Sequence, residues 1–78
     1  MTRALVEAAQ RGDHGAFEAL AIARVDRLYG DARLILRDVH LAEDAVQETL
    51  IRAWQQLPRL RDVDRFDAWV HRLLVNSC

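Results

Sequence analysis

The chain predicts an all-α fold, a compact bundle of three main helices with a short leading helix. Apolar residues recur at three- and four-residue steps along almost all of it, and no stretch alternates apolar and polar residues as a half-buried strand would. Breakers are scarce, three Gly and one Pro in 78 residues, and Gly12 and Pro58 sit at the joints between periodic runs.

The elements follow in order. Thr2 is placed to cap a first helix whose inner face carries Leu5, Ala8 and Ala9, and Gly12 is its stop signal. Asp13 caps a long second helix with an inward stripe of Phe17, Leu20, Ala21, Val25, Leu28, Ala32, Ile35 and Leu36. Gly30 lies inside it at a cost of about 1 kcal/mol relative to Ala, which makes it a candidate bend. Arg37-Asp38-Val39-His40 reads as a connection. The third helix has the cleanest pattern, with Ala42, Ala45, Val46, Thr49, Leu50, Ala53, Trp54 and Leu57 on one stripe. Glu43 and Asp44 are expected in its first turn, where the helix dipole favours negative charge. Pro58 ends it, and the charged stretch from Pro58 to Arg65 breaks the period. A fourth helix puts Phe66, Trp69, Val70, Leu73, Leu74 and Ser77 on one side and runs to Cys78 without a stop signal. That open end leads us to expect a piece of a longer protein.

Composition narrows the function classes. Hydrophobic residues make up 51% and charged residues 29%, which is globular and not disordered. No apolar run approaches the roughly 20 residues of a membrane span, and no signal-peptide stretch opens the chain. The single cysteine, Cys78, cannot close an intrachain disulfide. The net charge of −1 hides a gradient: residues 1–50 hold six Arg against nine Asp/Glu, net −3, and residues 51–78 hold five Arg against three Asp, net +2. All basic side chains are Arg, which suits bidentate phosphate or carboxylate contacts and is equally a product of genomic base composition.

Catalytic signatures are missing. His14, His40 and His71 lie on different segments without metal-ligand spacing, and His40 with Glu43 and Asp44 reads as a solvated capping cluster, not a metal site. There is no glycine-rich phosphate loop, nucleophile elbow or HExxH, and Cys78 has no positioned base beside it. We therefore expect a protein that is not an enzyme and needs no cofactor.

Two blocks remain. In the first, Ala42-Glu43-Asp44-Ala45-Val46-Gln47-Glu48 continuing through Arg52-Ala53-Trp54, the side chains of Asp44, Gln47 and Glu48 share one helix face at i, i+3 and i+4. This acidic and amide patch fits Arg-bearing helices of a partner, or is simply a solvated face. In the second, Pro58-Arg59-Leu60-Arg61 leads into a helix holding Phe66, Trp69, His71, Arg72 and Asn76. Cations for phosphates, apolar surface for unstacked bases and amides for base edges are what single-stranded nucleic acid requires. Phe66 and Trp69 nevertheless fall on the stripe that reads as core.

With both blocks in register, and with Gly12-Asp13 followed by Ala16-Phe17-Glu18, the chain resembles region two of the bacterial sigma factors, in particular the extracytoplasmic-function group, over essentially residues 1–78. The resemblance implies a cytoplasmic promoter-recognition domain. It would dock on core RNA polymerase, at the clamp coiled coil of the largest subunit, through Asp44, Gln47, Glu48 and Arg52. It would also bind and melt the promoter −10 element, taking a flipped non-template base into a pocket bordered by Gln56, Leu60, Arg61, Leu73 and Asn76. Arg59, Arg65, His71 and Arg72 would meet the strand's phosphates and sugars. An anti-sigma protein is a further implied partner, and a helix-turn-helix domain would lie outside this chain. Leu60 stands where the family often has Phe, Asp62-Val63-Asp64 where it has a small Gly-containing tip, and His71 where it has Tyr. These departures bear on which base is preferred. A helical protein-interaction module without DNA recognition is the alternative.

Overall fold

Three aspartates punctuate the chain by accepting the amide protons that open each new turn. Asp13 takes the Ala16 N–H at 3.1 Å, Asp38 that of Leu41 at 2.9 Å and Asp62 that of Asp64 at 3.0 Å. The computed structural model describes residues 2–78. It comprises α1 (Thr2–Gln10), α2 (His14–Leu36), α3 (Val39–Gln56), two 3₁₀ turns (Leu57–Arg59 and Val63–Arg65) and α4 (Phe66–Ser77). The all-α fold is as expected.

The joints have local causes. After α1 the chain turns at Gly12, whose φ of +99° suits a residue without Cβ, and the Gly12 and Asp13 amides close on the Ala9 and Ala8 carbonyls. α2 runs uninterrupted through Gly30 for 23 residues. At a rise of ~1.5 Å per residue it accounts for the 35 Å long axis of the molecule. It ends at Arg37, left-handed at φ 55°, whose N–H returns to the Arg33 carbonyl.

α2 packs against α1 on one side and α3 on the other, and α4 packs on α3 with a smaller contact to α2. The core runs through Val6, Ala9, Ala16, Leu20, Leu28, Ala32, Ala42, Ala45, Val46, Leu57, Val63, Phe66, Val70 and Leu74. Thr49 is fully buried, and its hydroxyl donates to the Ala45 carbonyl at 2.7 Å, so its own donor is satisfied.

Several expected details change. Thr2 is the first helical residue of α1 and not its cap. In α1 Ala9 is buried as expected, but its companion is Val6 and not Leu5, because a nine-residue helix can rotate by one position and α2 selects this setting. In α2 the buried positions step by four, Ala16, Leu20, Leu28 and Ala32, whereas Val25 and Ile35 are exposed. The missing step is Arg24. Its guanidinium lies 5.3 Å from the centre of the Phe66 ring, reaches both carboxylate oxygens of Asp67, and donates to the Leu20 carbonyl at 3.1 Å. An arginine thus fills a core-stripe position by burying its stem and pairing its head. α3 begins at Val39 because Asp38 caps it, so Glu43 and Asp44 fall in its second turn, away from the helix dipole's positive end.

Candidate functional site

On α3 the stripe Ala42, Ala45, Val46, Thr49 and Ala53 faces inward, which leaves Asp44, Gln47, Glu48 and Arg52 exposed on the other side. Arg52 and Glu48 form an i,i+4 ion pair at 2.7 Å with both side chains about half exposed, an arrangement worth only ~0.3–0.5 kcal/mol. The pair orders the patch more than it stabilises the helix. Gln47 also lines a groove of about 230 Å³ between α2 and α3, together with Glu43, Val46, Val25, Asp26 and Tyr29. Asp26 and Tyr29 were not singled out from sequence; no periodicity within α3 alone reports that α2 contributes to the same surface.

The residues of the second block lie on the end of α3, on the two 3₁₀ turns and on α4. Gln56 and Leu60 are half-buried, and Arg59, Arg61 and Arg65 are exposed. On α4, Phe66, Val70 and Leu74 point into the core, Leu73 is half-buried beside them, and Arg72 and Asn76 are exposed. At about 100° per residue, Leu73, Arg72 and Asn76 share one flank. His71 lies on the other, with Nε2 at 3.7 Å from Asp31 of α2. There it lines a groove of about 460 Å³ with Arg24, Arg27, Asp31 and Asp67. The structure therefore separates His71 from the other residues of this set.

The cations of this surface are unequal. Arg65 is paired with Asp62 at 3.7 Å, whereas Arg59, Arg61 and Arg72 have no carboxylate within 4.0 Å among the described residues. Unpaired guanidinium groups on an exposed face remain open to external anions. The loop itself is held from below. Leu57 is fully buried and Val63 nearly so, the Leu60 N–H returns to the Leu57 carbonyl at 3.0 Å, and the Arg65 N–H returns to the Asp62 carbonyl at 3.0 Å. Two α1 side chains also reach it: Gln10 Nε2 donates to the carbonyls of Leu57 at 3.2 Å and Leu60 at 2.8 Å, and Arg3 pairs with Asp64 at 2.8 Å. Sequence reasoning missed Gln10, Arg3 and Asp64, because contacts across 47 to 61 residues leave no local trace.

Little here supports reaction chemistry. Burial pushes the Cys78 thiol up from its ordinary value, so it is protonated at neutral pH and a poor nucleophile. Among the described residues no group of His, Cys, Asp or Glu is arranged to hold a metal ion, and no helix is long and apolar enough to cross a membrane.

The bundle thus exposes polar groups on the outer side of α3 and guanidinium groups on the turns and α4, and comparison with known proteins says to which family it belongs. The family model of sigma-70 region 2 matches residues 20–78, and the chain belongs to that family. It is 33% identical over 73 residues to the RNA polymerase sigma-H factor of Pseudomonas aeruginosa, covering 94% of this chain and 38% of that protein. It is 35% identical over 75 residues to the ECF RNA polymerase sigma-E factor of Salmonella typhimurium (94% and 38%), and 29% identical over 76 residues to the ECF RNA polymerase sigma factor SigW of Bacillus subtilis (97% and 41%). The chain thus spans about two fifths of the length of these curated relatives. No solved structure gives a significant match. Sigma factors are not a class of enzymes.

Proposed function

We propose that residues 1–78 form the region-two domain of an extracytoplasmic-function sigma factor of the cytoplasm, which docks on core RNA polymerase and recognises the promoter −10 element. The observation that carries this reading is the family match over residues 20–78, a segment that includes both exposed surfaces. Asp44, Gln47, Glu48 and Arg52 present acid and amide groups to the clamp coiled coil of the largest polymerase subunit. Gln47 and Asn76 both lie on the surface, as any docking role requires.

At the other surface a non-template base leaves the duplex and is held beside Gln56, Leu60, Arg61, Leu73 and Asn76. Extrusion costs a few kcal/mol of stacking and pairing, which apolar contact from Leu60 and Leu73 and hydrogen bonds from Asn76 and Gln56 offset for a fitting base. Arg59, Arg61 and Arg72 supply phosphate contacts that raise affinity without reading sequence and make binding fall with salt. Arg65 joins them by leaving Asp62, and His71, turned toward Asp31, reaches the strand only by leaving that contact. The polymerase performs the chemistry. A helix-turn-helix domain outside these residues completes promoter recognition, and an anti-sigma protein restrains the complex by covering an exposed face.

One experiment with two variants tests this. With core polymerase, Asp44→Arg should weaken docking by about 10–100-fold, since a reversed charge at an interface both loses an attraction and adds a repulsion. Asn76→Ala should leave docking intact and flatten the preference among single-stranded −10 oligonucleotides. Docking that survives Asp44→Arg removes the assignment of this α3 face as the docking surface. Docking without preference for any oligonucleotide in the unmodified chain favours a protein-interaction module without DNA recognition.

A further inference from the structure

The loop between α3 and α4 is held by a helix far from it in sequence. Arg3, Val6 and Gln10 lie on one face of α1, spaced at i, i+3 and i+7. Val6 at the centre is fully buried, while Arg3 pairs with Asp64 and Gln10 donates to the Leu57 and Leu60 carbonyls. The two polar residues therefore grip the loop at both 3₁₀ turns. The rotation of α1 is set by burial of Val6 and Ala9, and its end is set by the turn at Gly12 and the cap at Asp13.

The two carbonyls bracket the point where the helical path ends. Past the end of α3 the Leu57 carbonyl accepts a 3₁₀ bond from the Leu60 N–H, and Leu60 itself is extended at ψ 115°. One –NH₂ group spans both at hydrogen-bonding distance and so couples the helix end to the residue whose side chain stands next to the proposed base pocket. A lysine or arginine could donate as well but would carry charge. An aliphatic side chain of the same length would pack without restricting the carbonyls.

We propose that Gln10 is a positioning residue for base selection: its carboxamide locks the Leu57–Leu60 backbone and thereby the place and aim of Leu60 and Arg61. This rests on the reading of that loop as the promoter-reading segment. It assigns α1 a part in specificity through a side chain whose amide is spent on the loop backbone and which precedes the residues matched by the family model.

The test uses the chain bound to core polymerase and a randomised pool of single-stranded DNA, with the bound fraction sequenced. Gln10→Ala and the near-isosteric Gln10→Met, which keeps the volume and removes the donors, should each reduce the ratio of best to average sequence by about three- to tenfold, a factor within what losing the two neutral hydrogen bonds from Gln10 allows. Polymerase binding should stay within about twofold of the unmodified chain, since the α3 face is not involved. Amide exchange at Leu60, whose N–H bonds to the Leu57 carbonyl, should quicken in both variants while Ala45 to Thr49 in α3 do not change. An unchanged ratio in either variant overturns the proposal, as does an equal loss for all sequences accompanied by faster exchange throughout the chain. If the unmodified chain binds polymerase yet selects no sequence, the reading of the loop itself is what fails, and the role in selection falls with it.

Discussion

The outer face of α3 and the segment from Leu57 to Arg65 expose similar numbers of polar groups but are organised by different forces. On α3 the helix itself sets the relation among Asp44, Gln47 and Glu48: the i, i+3, i+4 spacing is guaranteed once the backbone is helical, and Arg52 is within reach of Glu48 for the same reason. In the loop, position depends on three kinds of contact, one of them from far away in the chain. Leu57 and Val63 sink into the core, Asp62 accepts from Asp64, and α1 grips from outside through Gln10 and Arg3. A surface built on one helix tolerates change elsewhere in the molecule, whereas a surface built by convergence fails when any contributor moves.

Substitutions that spare one region and disturb the other put this contrast to the test. The largest effect is expected from Leu57→Ala. This residue is fully buried at the point where α3 becomes loop, and truncation should cost about 2–5 kcal/mol by urea unfolding. A loss under 1 kcal/mol would mean that the loop is not held by its buried end. Gly12→Ala comes next: nothing crowds a Cβ there, but φ of +99° strains any L-residue, so about 1–2 kcal/mol should be lost. Because that turn fixes the end of α1, protease cleavage after Arg59 or Arg61 should accelerate while docking through α3 persists. Cleavage at the original rate would uncouple α1 from the loop. Arg3→Ala sits at the small end. Its ion pair with Asp64 is exposed on both sides, so stability should fall by no more than ~1 kcal/mol and the effect should fade with added salt.

Much of this architecture was legible because it is periodic or capped locally. The inward residues of α3 match the expected stripe from Ala42 to Leu57, with Leu50 and Trp54 only half-buried at its margin, and Asp13 and Gly12 mark a joint whose geometry follows from their own side chains or the lack of one. Arg24 shows where such reading stops. An arginine in the middle of a buried stripe looks like a solvent position until Phe66 and Asp67, more than forty residues on, are brought against it. The same applies to His71. Its neighbours along the chain place it among the nucleic-acid candidates, but the helix turns it toward Asp31 on α2.

The sequence alone determined the helices, their boundaries to within a few residues, and the sharing of one α3 face by Asp44, Gln47 and Glu48, since each of these depends on the period of the backbone and on side chains a few residues apart. Only the tertiary structure decided which flank of α1 faces inward, that Arg24 is half-buried between α2 and α4, and that Gln10 holds the loop. Those outcomes depend on which groups meet across tens of residues, and a contact of that kind is selected by packing and hydrogen-bond satisfaction in the folded chain, not by any pattern within either segment.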